Sequence, residues 1–126
     1  MSKKVLVVED SALIHKLVRL IIKSYSEDVE VYVANDGLEG LVMLNQHPDT
    51  DLVLLDVNMP NMSGLEFLSK VRSEGAFDNV KVVLQSTEDR QADIERGLDA
   101  GASGYLTKPF TAQQLRAILE ESFEGA

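Results

Sequence analysis

The regular alternation of short apolar runs with longer amphipathic segments constrains the fold most. Two of the runs, Val5–Val8 and Leu52–Leu55, are continuously apolar, as is typical of parallel strands covered by helices on both faces. The predicted strands are Lys4–Val8, Glu30–Ala34, Leu52–Leu55, Val80–Gln85 and Gly104–Thr107. The predicted helices are Ser11–Ser24, Gly37–Gln46, Gly64–Glu74, Glu88–Ala100 and Thr111–Phe123. Five strand–helix repeats predict a doubly wound (βα)₅ α/β domain with a parallel sheet.

The first predicted helix shows the periodicity on which this interpretation rests. Leu13, Leu17, Leu20 and Ile21 recur at helical spacing. They therefore predict one apolar stripe along an amphipathic helix.

Length and composition suit one globular domain. The chain has 126 residues, of which 44% are hydrophobic, and this is enough for one core. No linker, repeat or low-complexity tract interrupts it, so we expect a single domain over residues 1–126 without an output domain. The absence of cysteine excludes disulfides and thiolate metal sites.

The net charge argues against some classes of binding partner. A net charge of -9 repels phosphate backbones and argues against nucleic-acid binding. The N-terminus, MSKKVLVVED, holds only four consecutive apolar residues. That run is too short for a signal peptide or a membrane span. We therefore expect a cytoplasmic protein without membrane insertion.

The predicted carboxyl ends of the strands bring acidic residues together. In open parallel sheets, ligands bind beyond these ends, where the strand order reverses. For the flavodoxin-like order 2-1-3-4-5, Asp10 and Asp56 face each other there, and Glu9 adds a third carboxylate. Three carboxylates in one crevice repel unless a cation offsets them. Hard oxygen ligands favour Mg²⁺, with Mn²⁺ as a substitute.

The other strand ends supply groups suited to phosphoryl transfer. Lys108 can bring an ammonium to a phosphoryl group, and the Ser86 hydroxyl can donate a hydrogen bond to it. A carboxylate can itself accept the phosphoryl group as a nucleophile. Asp56 is the best candidate because its strand is central in the predicted sheet.

Ordinary structural roles account for several other polar residues. A carboxylate that closes a strand usually caps a helix or forms a turn. This explanation suffices for Asp36 and Asp49 and applies in part to Asp10. It is weak for Asp56, because no helix is predicted before Gly64. His15 and His47 lack metal-ligand partners at useful spacing and are assigned no role; they complete the set of histidines.

Four motifs, each at a predicted strand end, carry a family resemblance. They are VLVVED with Glu9 and Asp10, LLDVNMPNMSG around Asp56, VVLQS ending at Ser86, and GASGYLTKPF with Tyr105, Lys108 and Pro109. Together they resemble the response-regulator receiver domain of two-component signalling over essentially the whole chain. The NMPNMSG and GASGY–KPFT stretches are most similar to the stand-alone chemotaxis regulators.

The resemblance implies a role for each motif residue. Asp56 would take the phosphoryl group from a sensor histidine kinase or a histidine phosphotransfer protein. Mg²⁺ would be bound by Asp10, Asp56 and the backbone carbonyl of Asn58, with Glu9 acting directly or through water. Lys108 would pair with Asp56 and then with the phosphoryl group.

The resemblance also implies a conformational switch. Ser86 would move to the phosphoryl group, Tyr105 would turn inward, and the bond before Pro109 would be cis. The fourth helix, fifth strand and fifth helix would then bind a downstream target such as a flagellar switch. The residues expected on that face are Gln91, Ile94, Leu98, Tyr105 and parts of Thr111–Leu119.

Two departures from the family pattern bear on turnover. The position after Ser86 is usually small in this family, but here it is Thr87, which we expect to restrict access by water or a phosphatase. The acidic pair is Glu9-Asp10 rather than two aspartates, so the longer Glu9 side chain leaves open whether the first position contacts the metal directly or through water. Asn58 and Glu88 flank the expected path of the hydrolytic water and would tune the lifetime of the phosphorylated state.

The function favoured by the resemblance is a switch that catalyses its own phosphorylation and dephosphorylation and is not a conventional enzyme. Two other classes of function are alternatives to it. A small haloacid-dehalogenase-like phosphatase also uses an aspartyl phosphate, but it generally needs an acid where Asn58 stands. A flavodoxin-like electron carrier would need a Ser/Thr/Gly-rich phosphate loop after the first strand. Glu9-Asp10-Ser11 has the wrong charge for that loop.

Overall fold

The computed structural model describes residues 3–57, 62–73, 75, 77, 79–87 and 91–124. Strands and helices alternate along this part of the chain. The strands are β1 (Lys4–Val8), β2 (Glu30–Ala34), β3 (Leu52–Asp56), β4 (Lys81–Thr87) and β5 (Gly104–Lys108). The helices are α1 (Ala12–Tyr25), α2 (Gly37–Gln46), α3 (Gly64–Ser73), α4 (Gln91–Asp99) and α5 (Ala112–Glu124).

The five strands form one parallel sheet in the order β2-β1-β3-β4-β5. This confirms the predicted α/β architecture and strand order. The central strand β3 is buried at all of its residues, because helices cover both faces of the sheet. The strand order reverses at β1, so the crevice for a ligand opens between the carboxyl ends of β1 and β3.

Two apolar layers hold the helices against the sheet, one on each face. Alternate residues of β3 contribute to opposite layers. Leu55 packs with Leu44 of α2 and Phe67 of α3. Leu54 packs with Val18 of α1 and Leu115 of α5. No described helix is long and apolar enough to cross a membrane.

Three strands extend farther than the sequence predicts. β3 includes Asp56, β4 continues to Thr87, and β5 continues to Lys108. The parallel register explains the extension, since Asp56 pairs with Gln85 and Thr87 pairs with Lys108. The polar residues at these ends are therefore held by sheet hydrogen bonds rather than by loops.

Of the four residues in the apolar stripe predicted along α1, Ile21 is buried and the three leucines are exposed. Leu13, Leu17 and Leu20 are 74%, 42% and 69% exposed, and the helix instead buries Val18, Ile21 and Ile22. The helix has more apolar residues than one face can bury. Spacing alone therefore cannot select the stripe that meets the sheet.

Asp36 caps a helix, whereas Asp10 does not. Asp36 caps α2, and its side chain accepts a hydrogen bond of 2.9 Å from the Glu39 amide. At α1 the cap is Ser11, whose hydroxyl accepts from the Ile14 amide at 3.3 Å. The partial capping role expected for Asp10 is therefore wrong, because the helix begins one residue later. Asp49 pairs with Lys4 at 2.8 Å.

Candidate functional site

Three carboxylates converge at the carboxyl edge of the sheet. One oxygen from each of Glu9, Asp10 and Asp56 lies within 4.8 Å of the others. Glu9 is 2% exposed and Asp56 is 6% exposed, while Asp10 faces solvent. The backbone of Glu9 is anchored by a 3.0 Å hydrogen bond from its amide to the Ala34 carbonyl. The predicted cluster is therefore present, with two of its three members inside the protein.

Lys108 reaches into this cluster from the end of β5. Its Nζ lies 2.8 Å from Glu9 Oε2 and 3.5 Å from Asp56 Oδ1. Burial lowers the pKa of Lys108, but the hydrogen bond to Glu9 and the charge of Asp56 outweigh it and raise the pKa above its ordinary value. The ammonium therefore stays charged and balances part of the acidic cluster.

Burial makes the position of Glu9 unfavourable for a negative charge. Burial raises the pKa of Glu9 to about 7, and the neighbouring charge of Asp56 also raises it. The hydrogen bond from Lys108 acts in the opposite direction but does not cancel the effect. An additional positive charge at the cluster would therefore favour the ionised form of Glu9.

The donor set fits a hard divalent cation. Carboxylate oxygens are the ligands that Mg²⁺ prefers, and the ion is often bound by only one or two of them. Two buried carboxylates beside an exposed third leave one side of the cluster open to water and substrate. The expected contributions of Asn58 and Glu88 lie outside the described residues.

Ser86 and Thr87 on β4 and Tyr105 on β5 lie in different environments. Ser86 is buried, and its hydroxyl donates to the Thr87 carbonyl oxygen at 3.3 Å. Thr87 is exposed at the end of β4. Tyr105 lies on β5 with 46% of its surface exposed. The peptide bond between Lys108 and Pro109 is cis, as expected.

The expected output face needs one correction. Leu98 of α4 is 40% exposed and Tyr105 is 46% exposed, so both are accessible to a partner. Ile94 is only 1% exposed. It lies on the inner side of α4 and does not belong to the face.

Two residues near the site carry no role in the sequence analysis. A ring nitrogen of His15 hydrogen-bonds the backbone carbonyl of Glu9, a contact that residue spacing does not reveal. Gln85 is completely buried in β4, and neither of its amide atoms has a hydrogen-bond partner among the described residues. Leaving a buried polar group unpaired costs about 1–3 kcal/mol. The sequence signal for Gln85 is a polar residue inside the apolar run VVLQS.

Comparison with known proteins finds close counterparts of the whole domain. The sequence model of the response regulator receiver domain family matches residues 5–120. A chemotaxis protein CheY homolog of Campylobacter jejuni is 34% identical over 128 residues, which cover 98% of each chain. Chemotaxis protein CheY1 of Helicobacter pylori is 34% identical over 93% of this chain and 94% of the relative. The structure of Vibrio cholerae chemotaxis protein CheY4 matches with a TM-score of 0.87 at 32% identity, covering 98% of this chain and 100% of that one.

Proposed function

We propose a phosphorylation mechanism for this chain, which belongs to the response regulator receiver domain family. Family membership implies phosphorylation-dependent signalling by a switch rather than by a conventional enzyme. In our proposal Asp56 is the phosphoacceptor. The observation that carries it is the buried Asp56 carboxylate, which shares its pocket with two further carboxylates and lies 3.5 Å from Lys108.

The proposed reaction transfers a phosphoryl group from phosphohistidine to Asp56. A carboxylate oxygen of Asp56 attacks the phosphorus, and the new O–P bond forms as the N–P bond breaks. The electron pair of the broken bond stays on the imidazole of the donor. The ammonium of Lys108 offsets negative charge on the phosphoryl oxygens, which is the main contribution a protein can make to this reaction.

Magnesium fits the proposal through the same carboxylates. Asp10, Asp56 and the backbone carbonyl of Asn58 would hold the ion, with Glu9 bound directly or through water, and Mn²⁺ would substitute. When bound, the ion neutralises charge on the transferring phosphoryl oxygens. The residues of the chain orient the nucleophile and exclude part of the solvent, since Glu9 and Asp56 are both buried.

The switch proposed for the phosphorylated state uses Ser86 and Tyr105. Phosphorylation adds about -1.5 to -2 charges at Asp56. The Ser86 hydroxyl, which donates weakly to the Thr87 carbonyl at 3.3 Å, would donate to a phosphoryl oxygen instead. Tyr105 would turn inward and change the surface formed by α4, β5 and α5. Thr87, Asn58 and Glu88 would set the rate at which water or a phosphatase removes the group.

The proposed partners are a phosphoryl donor and a target. A sensor histidine kinase or histidine phosphotransfer protein would supply the group. The relatives from Campylobacter and Helicobacter are chemotaxis proteins, which supports a flagellar switch or another motility protein as the target. The exposed residues Leu98 and Tyr105 give this target an apolar surface on the output face.

The decisive experiment measures intact mass after incubation with acetyl phosphate and Mg²⁺. We expect the wild type to gain one phosphoryl group and Asp56→Asn to gain none, because the amide is not a nucleophile. Asp99→Asn is the matched control, since Asp99 is an exposed carboxylate at the end of α4, and it should be labelled like the wild type. Labelling of Asp56→Asn at the wild-type rate would contradict the assignment of Asp56.

A further inference from the structure

Gln85 is a buried polar residue beside the phosphoacceptor that the mechanism above does not use. Its side chain is 0% exposed, and its amide atoms lack hydrogen-bond partners in the described part of the chain. In the sheet it is flanked by Asp56 on β3 and by Leu106 on β5. An apolar side chain of similar size would fill this position without leaving two polar atoms unpaired.

The strand register places Gln85 on the same face of the sheet as the charged groups. Val83, Leu54 and Leu106 all pack into the layer of α1 and α5. Residues two positions apart on a strand share a face. The side chains of Asp56, Gln85 and Lys108 therefore lie on this face, with Lys108 one row beyond Gln85 toward the carboxyl edge.

The side chain of Lys108 crosses this part of the sheet. Lys108 is on β5, yet its ammonium lies 2.8 Å from Glu9, which follows β1 at the far side of β4 and β3. Its distance to Asp56 on β3 is longer, at 3.5 Å. A movement of the ammonium from Glu9 to Asp56 therefore brings it back toward β4, the strand that carries Gln85.

We propose that Gln85 is a positioning residue for Lys108. Its side-chain carbonyl oxygen accepts a hydrogen bond from the Lys108 ammonium once that group has left Glu9 for the phosphorylated Asp56. This inference rests on the proposed role of Asp56. Before phosphorylation the amide has no hydrogen-bond partner among the described residues, and the shift of Lys108 supplies one. Gln85 thereby favours the arrangement in which Lys108 contacts the phosphoryl group.

The amide has few other candidate partners. In the described rows of this face, the polar side chains next to Gln85 belong to Asp56, Thr87 and Lys108. The helices packed over the face contribute apolar residues, among them Ile14, Ala112 and Leu115. Lys108 is the member of this set whose charged end already contacts two different carboxylates.

The first test compares Gln85→Met with the wild type, since methionine keeps the length of the side chain and removes its hydrogen bonds. The probe is beryllofluoride with Mg²⁺, a mimic of the phosphoryl group on Asp56, titrated by NMR. We expect Gln85→Met to bind beryllofluoride about tenfold more weakly, as the loss of one hydrogen bond to a charged group predicts. Gln46→Met is the matched control at an exposed position on α2, and it should bind like the wild type.

Two further measurements separate positioning from a purely structural role. Without added ions, Gln85→Met should unfold at or above the wild-type temperature, because no hydrogen bond is lost in that state. The side-chain amide signals of Gln85, identified by their absence from the Gln85→Met spectrum, should shift when beryllofluoride and Mg²⁺ are added. In Lys108→Met the same signals should not respond.

The possible failures are distinguishable. Equal beryllofluoride affinity of the wild type and Gln85→Met, or a lower unfolding temperature of Gln85→Met without ions, overturns the role of Gln85 alone. A wild type that neither binds beryllofluoride nor is labelled by acetyl phosphate overturns the phosphoacceptor role of Asp56, and the role of Gln85 with it.

Discussion

At the scale of single residues, burial increases the affinity of Glu9 for a proton. Its pKa in the folded protein is raised to about 7, chiefly by burial, from an ordinary value of 4.5. The folded protein therefore holds this proton more tightly than the unfolded chain. The stability that Glu9 contributes is complete below about pH 4.5 and is lost as the pH rises through about 7. In the proposed Mg²⁺ site, a bound cation would instead favour the deprotonated carboxylate.

This linkage predicts a pH-dependent effect of Mg²⁺ on unfolding. Calorimetry should show that Mg²⁺ raises the unfolding temperature more at about pH 8 than at about pH 6, because protons compete for Glu9 at the lower pH. In Glu9→Gln, which cannot titrate, the difference between the two pH values should be much smaller. An equal pH dependence in both proteins would assign the effect to another group.

Gly64 illustrates how closely the backbone packs behind the phosphoacceptor. A Cβ atom at this position would lie 2.5 Å from the Asp56 carbonyl oxygen and 2.8 Å from the Val57 Cα. Both neighbours are backbone atoms and cannot turn away. Even the smallest side chain at position 64 must therefore displace the segment that carries Asp56.

We expect Gly64→Ala to lower the free energy of unfolding by about 1–3 kcal/mol, as overpacking does in other cores, and to slow labelling by acetyl phosphate. The matched control is Gly104→Ala, because a Cβ at Gly104 meets no atom within 4 Å. Chemical denaturation should place the control within about 1 kcal/mol of the wild type. Equal stability of the two variants would contradict the close approach at Gly64.

At the scale of secondary-structure elements, Arg72 links α3 to the segments that precede β4 and β5. These segments lie at the edge of the sheet opposite the acidic cluster. Its guanidinium donates to the carbonyl oxygens of Gly101 and Phe77, each at 3.0 Å. Gly101 belongs to the turn that precedes β5, and Phe77 to the segment that precedes β4. One side chain thus donates hydrogen bonds to backbone carbonyl groups in both the segment before β4 and the turn before β5.

Replacing Arg72 by methionine should remove both hydrogen bonds while keeping the apolar stem. We expect the free energy of unfolding to fall by about 1–3 kcal/mol, the range for hydrogen bonds from charged donors. Lys70→Met, at an exposed position of the same helix, should change it by less than about 0.5 kcal/mol. Urea denaturation measures both, and equal losses would mean that the Arg72 contacts add no stability.

The elements also show what could be predicted from the sequence and what could not. Strands β1 and β2 match their predicted bounds, because their apolar runs end at polar residues. Strands β3 to β5 continue into Asp56, Thr87 and Lys108, because pairing with neighbouring strands extends them beyond the apolar pattern. This pairing joins residues that are distant in sequence, so the pattern of neighbouring residues does not predict it.

For the candidate site, too, some features could be predicted from the sequence and others could not. The strand ends identify Glu9, Asp10, Asp56 and Lys108 as neighbours, since topology alone brings them to one edge. The shorter contact of Lys108 with Glu9 than with Asp56 depends on the reach of its side chain across β4 and β3. Gln85 has no hydrogen-bond partner in the described part of the chain, and this depends on which side chains the helices packed on its face contribute. Neither property is encoded in residue spacing.

At the scale of the whole molecule, β3 joins the two apolar layers into one cooperative unit. Leu54 and Leu55 are both 0% exposed and pack into opposite layers. Leu54→Ala and Leu55→Ala should each lower the free energy of unfolding by about 2–5 kcal/mol. Each variant should still unfold in a single calorimetric transition, since the layers share the strand. Separate transitions for the two layers would contradict this coupling.

The ion pair between Lys108 and Glu9 has a consequence for synthesis of the protein. Its partners are 99 residues apart in sequence, and the strands that position them, β1 and β5, are separated in the sheet by β3 and β4. A chain emerging from the ribosome exposes all three carboxylates well before Lys108 leaves the exit tunnel. Until then the acidic cluster lacks its only basic partner among the described contacts. In the proposed mechanism, a nascent chain that still lacks Lys108 would therefore be a poor substrate for phosphorylation, and signalling would begin only after the last strand has been synthesised.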